Sequence, residues 1–211
     1  RPIYCFGRKK VSQPRQIKPT SDASPYRKNK LARLYSSAAE KIIEQTSVNK
    51  GYCLVLDCGR ARLAYELASR TELQIIGLEK DPKKLSIARR KLAAAGLLGS
   101  RVVVEPWDIA DLPAYFANLV VSDGMLTTGE TSVSQEQIRR VLRPYGGIMY
   151  LGHKRRGRIR WKKFVRAGLP GASSWTHLYG NPQNTGCSGD RLLKGPFGLQ
   201  WFGEPGPRGI V

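Results

Sequence analysis

Apolar residues along this chain recur at two different periods, and the switches between them mark out its elements. From Asn29 to about Thr46, Leu31, Leu34, Ala38, Ile42 and Ile43 return every three or four positions, the spacing of a helix with one buried face. Asn49-Lys50-Gly51 ends it. Tyr52–Asp57 then reads as an apolar strand, Ala61–Ser69 as a helix turning Leu63, Ala64 and Leu67 inward, and Leu73–Glu79 as a second strand. Asp81-Pro82 opens the next helix as N-cap and first helical residue; Leu85, Ala88 and Leu92 line its buried side, and Gly96 stops it. Arg101–Glu105, Asn118–Ser122 and Gly147–Leu151 are further strands, with a helix over Gln135–Leu142. Strands separated by helices predict an α/β fold: a doubly wound, mainly parallel, Rossmann-like sheet with helices on both faces.

Outside this alternation the pattern is different. Arg158–Val165 reads as an edge strand with Arg158, Arg160 and Lys162 on one face and Ile159, Trp161 and Val165 on the other. Residues 1–28 mix Pro, Ser, Lys and Arg without a period and read as a basic, flexible N-terminal arm. Residues 167–211 form a Gly/Pro-rich tail, which leaves 29–166 as the folded domain.

Charge sharpens this division. The net charge of +20 divides into 12 Lys/Arg against 3 Asp/Glu over residues 1–50, 13 against 11 over 51–152, and 11 against 2 over 153–211. A nearly neutral middle therefore lies between two basic flanks, which can bind nucleic-acid phosphates or an acidic partner weakly and with little sequence preference. No apolar run approaches the roughly 18 residues of a membrane span. The basic, polar N-terminus lacks a signal peptide's apolar segment, so the expected compartment is cytoplasmic. The chain starts on arginine and is read as a processed product or a piece of a longer protein. Cys5, Cys53, Cys58 and Cys187 have no CxxC spacing and neither His153 nor His177 flanks them, which argues against a metal site and a disulfide framework.

The chemistry concentrates at Cys53–Ala68 followed by Ile75–Glu79: strand, tight turn, helix, and a second strand ending on a carboxylate. This is the order of a nucleotide-binding βαβ unit, in which the turn backbone approaches the ligand and an acid about 20 residues on accepts the ribose hydroxyls. Gly59 and Glu79 have that spacing, although Gly59 is the one glycine in the turn.

Val55–Ala68, Ile75–Glu79, Trp107-Asp108 and Val141-Leu142-Arg143-Pro144-Tyr145-Gly146-Gly147 together resemble class I S-adenosylmethionine-dependent methyltransferases over about residues 30–151. The resemblance implies S-adenosylmethionine as cofactor, with Asp57, Gly59 and Ala61 around its methionine part and Glu79 on the ribose. It implies Asp108 at the adenine amino group, Trp107 or Ile109 against the ring, and the backbone near Val121–Asp123 beside the reactive methyl. It assigns no catalytic residue and no metal: there is no Asn-Pro-Pro-Tyr signature, and the methyl acceptor is unknown.

The loop departs from the family pattern, and two alignments are open. Without a gap, Asp57 replaces the first glycine and Ala61 the last, setting a carboxylate against the cofactor's own and, where backbone and ligand meet, a methyl that disfavours positive φ. With a turn two residues shorter, Asp57 is the family's strand-end acid. The family also closes its sheet with a hairpin after a further helix, whereas here one candidate strand, Arg158–Val165, is present.

The tail carries a second resemblance. Trp175–Thr185, Lys194-Gly195-Pro196 and Leu199–Gly203 resemble one blade segment, about residues 173–204, of a quinoprotein-like (PQQ-binding-like) β-propeller. A propeller closes only with several blades, so this implies a longer parent chain and no quinone cofactor here.

The leading expectation is thus a methyltransferase-like domain. A catalytically inactive scaffold, or a basic module binding nucleic acid or an acidic partner, is the alternative. A dinucleotide-dependent oxidoreductase fits less well, having no place for Asp108 or the Val141–Gly147 segment.

Overall fold

The computed structural model describes residues 24–192. In chain order its elements are α1 (Lys30–Thr46), β1 (Lys50–Leu56), α2 (Arg62–Ala68), β2 (Glu72–Leu78), α3 (Pro82–Ala94), β3 (Val102–Glu105), a 3-10 turn (Ile109–Asp111), β4 (Leu119–Ser122), α4 (Asp123–Thr127), α5 (Gln135–Val141), β5 (Ile148–Arg155) and β6 (Arg158–Val165). The strands form one sheet in the order β3-β2-β1-β4-β5-β6, parallel except for β6. This is the doubly wound α/β sheet that the alternating pattern predicts. Order reverses between β1 and β4, and such a reversal opens a crevice at the strands' C-terminal ends.

Both faces of the sheet are covered, so its strands are apolar throughout and their side chains alternate between two core layers. Cys53 and Val55 of β1, Leu119 and Val121 of β4, and Ile148 and Tyr150 of β5 join the layer under α1, α2 and α3. Leu54 and Leu56, Val120, and Met149 and Leu151 join the layer with Ile109 of the 3-10 turn and Ile138 and Val141 of α5. The helices start where the sequence offers caps. Asn29 caps α1, Asp81 caps α3 with Pro82 behind it, and Ser134 with Gln137 forms a capping box on α5.

Three expectations are corrected. The buried stripe of α1 is Tyr35, Ala38, Ala39, Ile42 and Thr46, so it is rotated from the predicted one, and Leu31 stays exposed. On β6, Ile159 and Trp161 face the first layer as predicted, but Val165 at the strand end is exposed, while Phe164 packs on the second layer. Tyr26, read as part of the arm, is buried: its hydroxyl donates to the Arg60 carbonyl at 2.7 Å and its ring meets Tyr65 edge-on.

β6 pairs antiparallel with β5 directly. The connection is Arg156-Gly157, at φ 47° and 76°, a two-residue turn needing positive φ at both positions. From Ala167 on the chain forms a separate compact unit. Among its described residues it has no helix or strand, only an isolated bridge between His177 and Gly180. The motif residues from Lys194 to Gly203 lie outside the described residues. No helix among the described residues is long and apolar enough to cross a membrane.

Candidate functional site

A cavity of about 620 Å³ lies at the C-terminal ends of β1, β2 and β4, where the strand order reverses. Its volume suits a drug-sized or cofactor-sized ligand. Of the residues assigned from sequence, Asp57, Gly59, Glu79, Asp108 and Ile109 line it together, and Trp107 joins them. Ala61 does not: it is fully buried in the first core layer.

The loop after β1 carries unusual backbone. Asp57, Gly59 and Ala61 have φ of 47°, 57° and 60°, so two L-residues occupy the left-handed region beside the one glycine. Ala61 thus adopts the positive φ that its methyl disfavours. Ala61 donates its N–H to the Cys58 carbonyl and accepts from the Tyr65 N–H, which holds it in that conformation at the head of α2. Cys58 is fully buried and packs against Gly77 of β2, where an added Cβ would lie 2.5 Å from its Sγ. Burial pushes its thiol well above the ordinary range, so it is an inert core group.

Glu79 follows β2 and is 8% exposed. Its Oε2 accepts the Gly59 N–H at 2.7 Å and its Oε1 the Asp81 N–H at 2.9 Å. The acid twenty residues on thus reaches back to the glycine and fixes the loop. Asp57, next after β1, accepts hydroxyls from Ser122 at 3.2 Å and Ser132 at 3.3 Å. Gly124 leaves room for it, since a Cβ there would lie 2.8 Å from Asp57 Cβ.

Asp108 caps the 3-10 turn through the Ala110 N–H at 3.0 Å and pairs with Lys80 at 2.6 Å. Hydrogen bonding from Lys80 holds its carboxyl below the usual range. Ile109 beside it is buried, whereas Trp107 is largely exposed.

Asp123, expected to contribute only backbone, has the most perturbed carboxyl in the cavity wall. It is 4% exposed; Oδ1 accepts the Tyr35 hydroxyl of α1 at 2.6 Å, and Oδ2 has no partner. Burial, opposed by that hydrogen bond and reinforced by the charges of Glu79 and Asp57, pushes its carboxyl up to about 7. The one sequence signal was an acid at the end of β4, one residue beyond the apolar run Leu119–Val121. Asp57 and Glu79 make this wall acidic, with Arg60, Lys80 and Lys84 elsewhere around the cavity. Such a wall favours a ligand bearing hydroxyls and positive charge, and the described residues present no activated nucleophile in it.

Known proteins similar to this chain include methyltransferases. A family model described as a methyltransferase domain matches residues 50–171, more than half of the chain. A proposed S-adenosyl-L-methionine-dependent methyltransferase of Methanococcus maripaludis is 28% identical, with a TM-score of 0.52, covering 58% of this chain and 56% of its own. The chain thus spans little over half the length of that protein. A methyltransferase of Aquifex aeolicus is 16% identical, with a TM-score of 0.49 over 59% of this chain and 70% of its own. No curated protein sequence matches. With the matched segment running from β1 past β6, the chain belongs to the methyltransferase-domain family.

Proposed function

We propose that residues 29–166, with Tyr26, form a stable domain that binds S-adenosylmethionine in this cavity and places its methyl group before an acceptor. The observation that carries this is the convergence of Gly59, Glu79, Asp108 and Ile109 on one cavity at the strand-order reversal. The donor set suits the cofactor. Each Glu79 oxygen accepts one backbone N–H and keeps a lone pair for a ribose hydroxyl. Asp108 and Ile109 line the same cavity and would hold an amino-bearing ring, and the acidic wall would complement a cation. When bound, the cofactor supplies an activated methyl to a nucleophile approaching in line. The protein's part is orientation and exclusion of water, and positioning of this kind supplies much of a barrier reduction.

Asp57 is best read as the strand-end acid of the shorter-turn alignment, because it follows β1 directly and is engaged by Ser122 and Ser132. Calorimetric titration with S-adenosylmethionine, S-adenosylhomocysteine and NAD tests the proposal. The first two should bind and NAD should not; binding of NAD alone, or of none, refutes it. A catalytically silent scaffold is the second reading, favoured by the tie between Glu79 and Gly59, which closes the loop on itself. Binding without methyl transfer to any acceptor pool would select it. For the tail, we read the Trp175–Thr185 sequence as resembling part of a propeller blade.

A further inference from the structure

Residues 153–166 hold eight Lys/Arg and no Asp or Glu, so most of the positive charge of the C-terminal flank belongs to the β5–β6 hairpin and the residue after it. Among the described residues, no ion pair uses Arg158, Arg160, Lys162 or Arg166. Strand alternation sets Arg158, Arg160 and Lys162 in a row on one face of the edge strand, all exposed and about 7 Å apart. Phe164 continues the row, with the Arg139 guanidinium 4.6 Å over its ring. Arg166 donates to the Arg139 carbonyl and lies 4.6 Å over the Tyr115 ring. Beside it, Gly146 donates its N–H to the Arg166 carbonyl, and neighbouring Tyr145 is 62% exposed.

An unneutralised cationic row on extended backbone, ending beside the exposed Tyr145 ring, is complementary to a phosphate backbone with unpaired bases. Cations track the phosphates while rings accept stacked bases, a combination a duplex cannot use because its bases are already stacked. We propose that the β6 row Arg158, Arg160 and Lys162, with Arg139, Arg166 and Tyr145 at its end, binds single-stranded RNA. The surface shares no residue with the cavity lining, so the proposal stands apart from the cofactor reading.

The test measures binding of the full chain to a 20-nucleotide oligouridylate by fluorescence anisotropy across a salt series. The variant Arg158→Ala/Arg160→Ala/Lys162→Ala should weaken binding about tenfold or more and reduce the slope of log affinity against log salt by about 2, three contacts at roughly 0.7 each. Arg158→Lys/Arg160→Lys should keep the wild-type slope, with both variants melting at the wild-type temperature. Tyr145→Ala should cost about fivefold or more in affinity with the slope unchanged. An unchanged slope and affinity in the triple variant overturns the proposal. So does tighter binding to a duplex of the same length, or equal binding to polyglutamate of matched charge, which would point to an acidic protein instead.

Discussion

At the scale of single residues, Asp123 links site and stability. Its value in the folded protein, about 7, lies above the ordinary 3.8, so the folded state binds a proton that the unfolded state releases. Stability from this group is therefore fully present below about pH 4 and is lost as pH rises towards 7. Asp123→Asn keeps an acceptor for Tyr35 and removes the charge. It should flatten the melting-temperature profile between pH 4 and 7 and raise the melting temperature at pH 8; parallel profiles for the two proteins would show that Asp123 is not the titrating group. Glu79 and Asp108 differ in what they have left to offer a ligand. Glu79 can add two charge-assisted hydrogen bonds, each worth roughly 1.5–3 kcal/mol. Asp108 is already engaged by Lys80 and the Ala110 N–H and is more exposed. Glu79→Ala should thus weaken S-adenosylmethionine binding more than Asp108→Ala in calorimetry. Wild-type affinity in Glu79→Ala would remove that residue from the site.

At the scale of elements, the loop between β1 and α2 is held from beneath as much as by its own sequence. Cys58 fits only because β2 carries Gly77, and the added methyl of Gly77→Ala would lie 2.5 Å from its Sγ. That substitution should destabilise by about 1–3 kcal/mol, the cost of overpacking a filled core. Adding Cys58→Ala should recover most of the loss in a denaturant melt; additive losses would mean the two positions do not compete for space. This dependence also explains what the sequence could and could not disclose. The helices and strands were legible because both core layers impose a period on the residues that fill them, as Cys53 to Leu56 do by alternating between layers. Helix α4, five residues long, and the three-residue 3-10 turn are too short to show a period. β5 runs on through His153 and Lys154, which are polar because pairing with β6, not burial, holds them there. Glu79 and Gly59 were found by spacing alone. The Asp123 side chain was not, because its hydrogen-bond partner Tyr35 lies 88 residues away on α1.

At the scale of the whole molecule, the chain is a sheet domain and a separate C-terminal unit beginning at Ala167. The last ladder contacts of the sheet are made by Arg166, whose N–H donates to the Gly147 carbonyl and whose carbonyl accepts the Gly146 N–H. Nothing after that residue contributes to either core layer among the described residues, and the Ala167 unit holds its described segment with turns of its own, such as Gly186 N–H to the Tyr179 carbonyl. Stability should therefore reside in the sheet domain. For a protein of this size, 1 kcal/mol moves the melting temperature by roughly 2–4 °C. A chain ending at Gly168 should melt within about 2 °C of the full protein and keep its affinity for S-adenosylmethionine. Limited proteolysis followed by mass spectrometry should place the first stable cuts beyond that residue, where Trp175, Leu178 and Tyr179 are exposed. Tyr26→Ala in the same chain should lower the melting temperature by several degrees, since it loses a buried ring and the hydroxyl bond to Arg60. A fall of more than about 5 °C on removing the tail, with Tyr26→Ala silent, would move the boundary of the stable unit from Arg166 into the tail and out of the N-terminal segment.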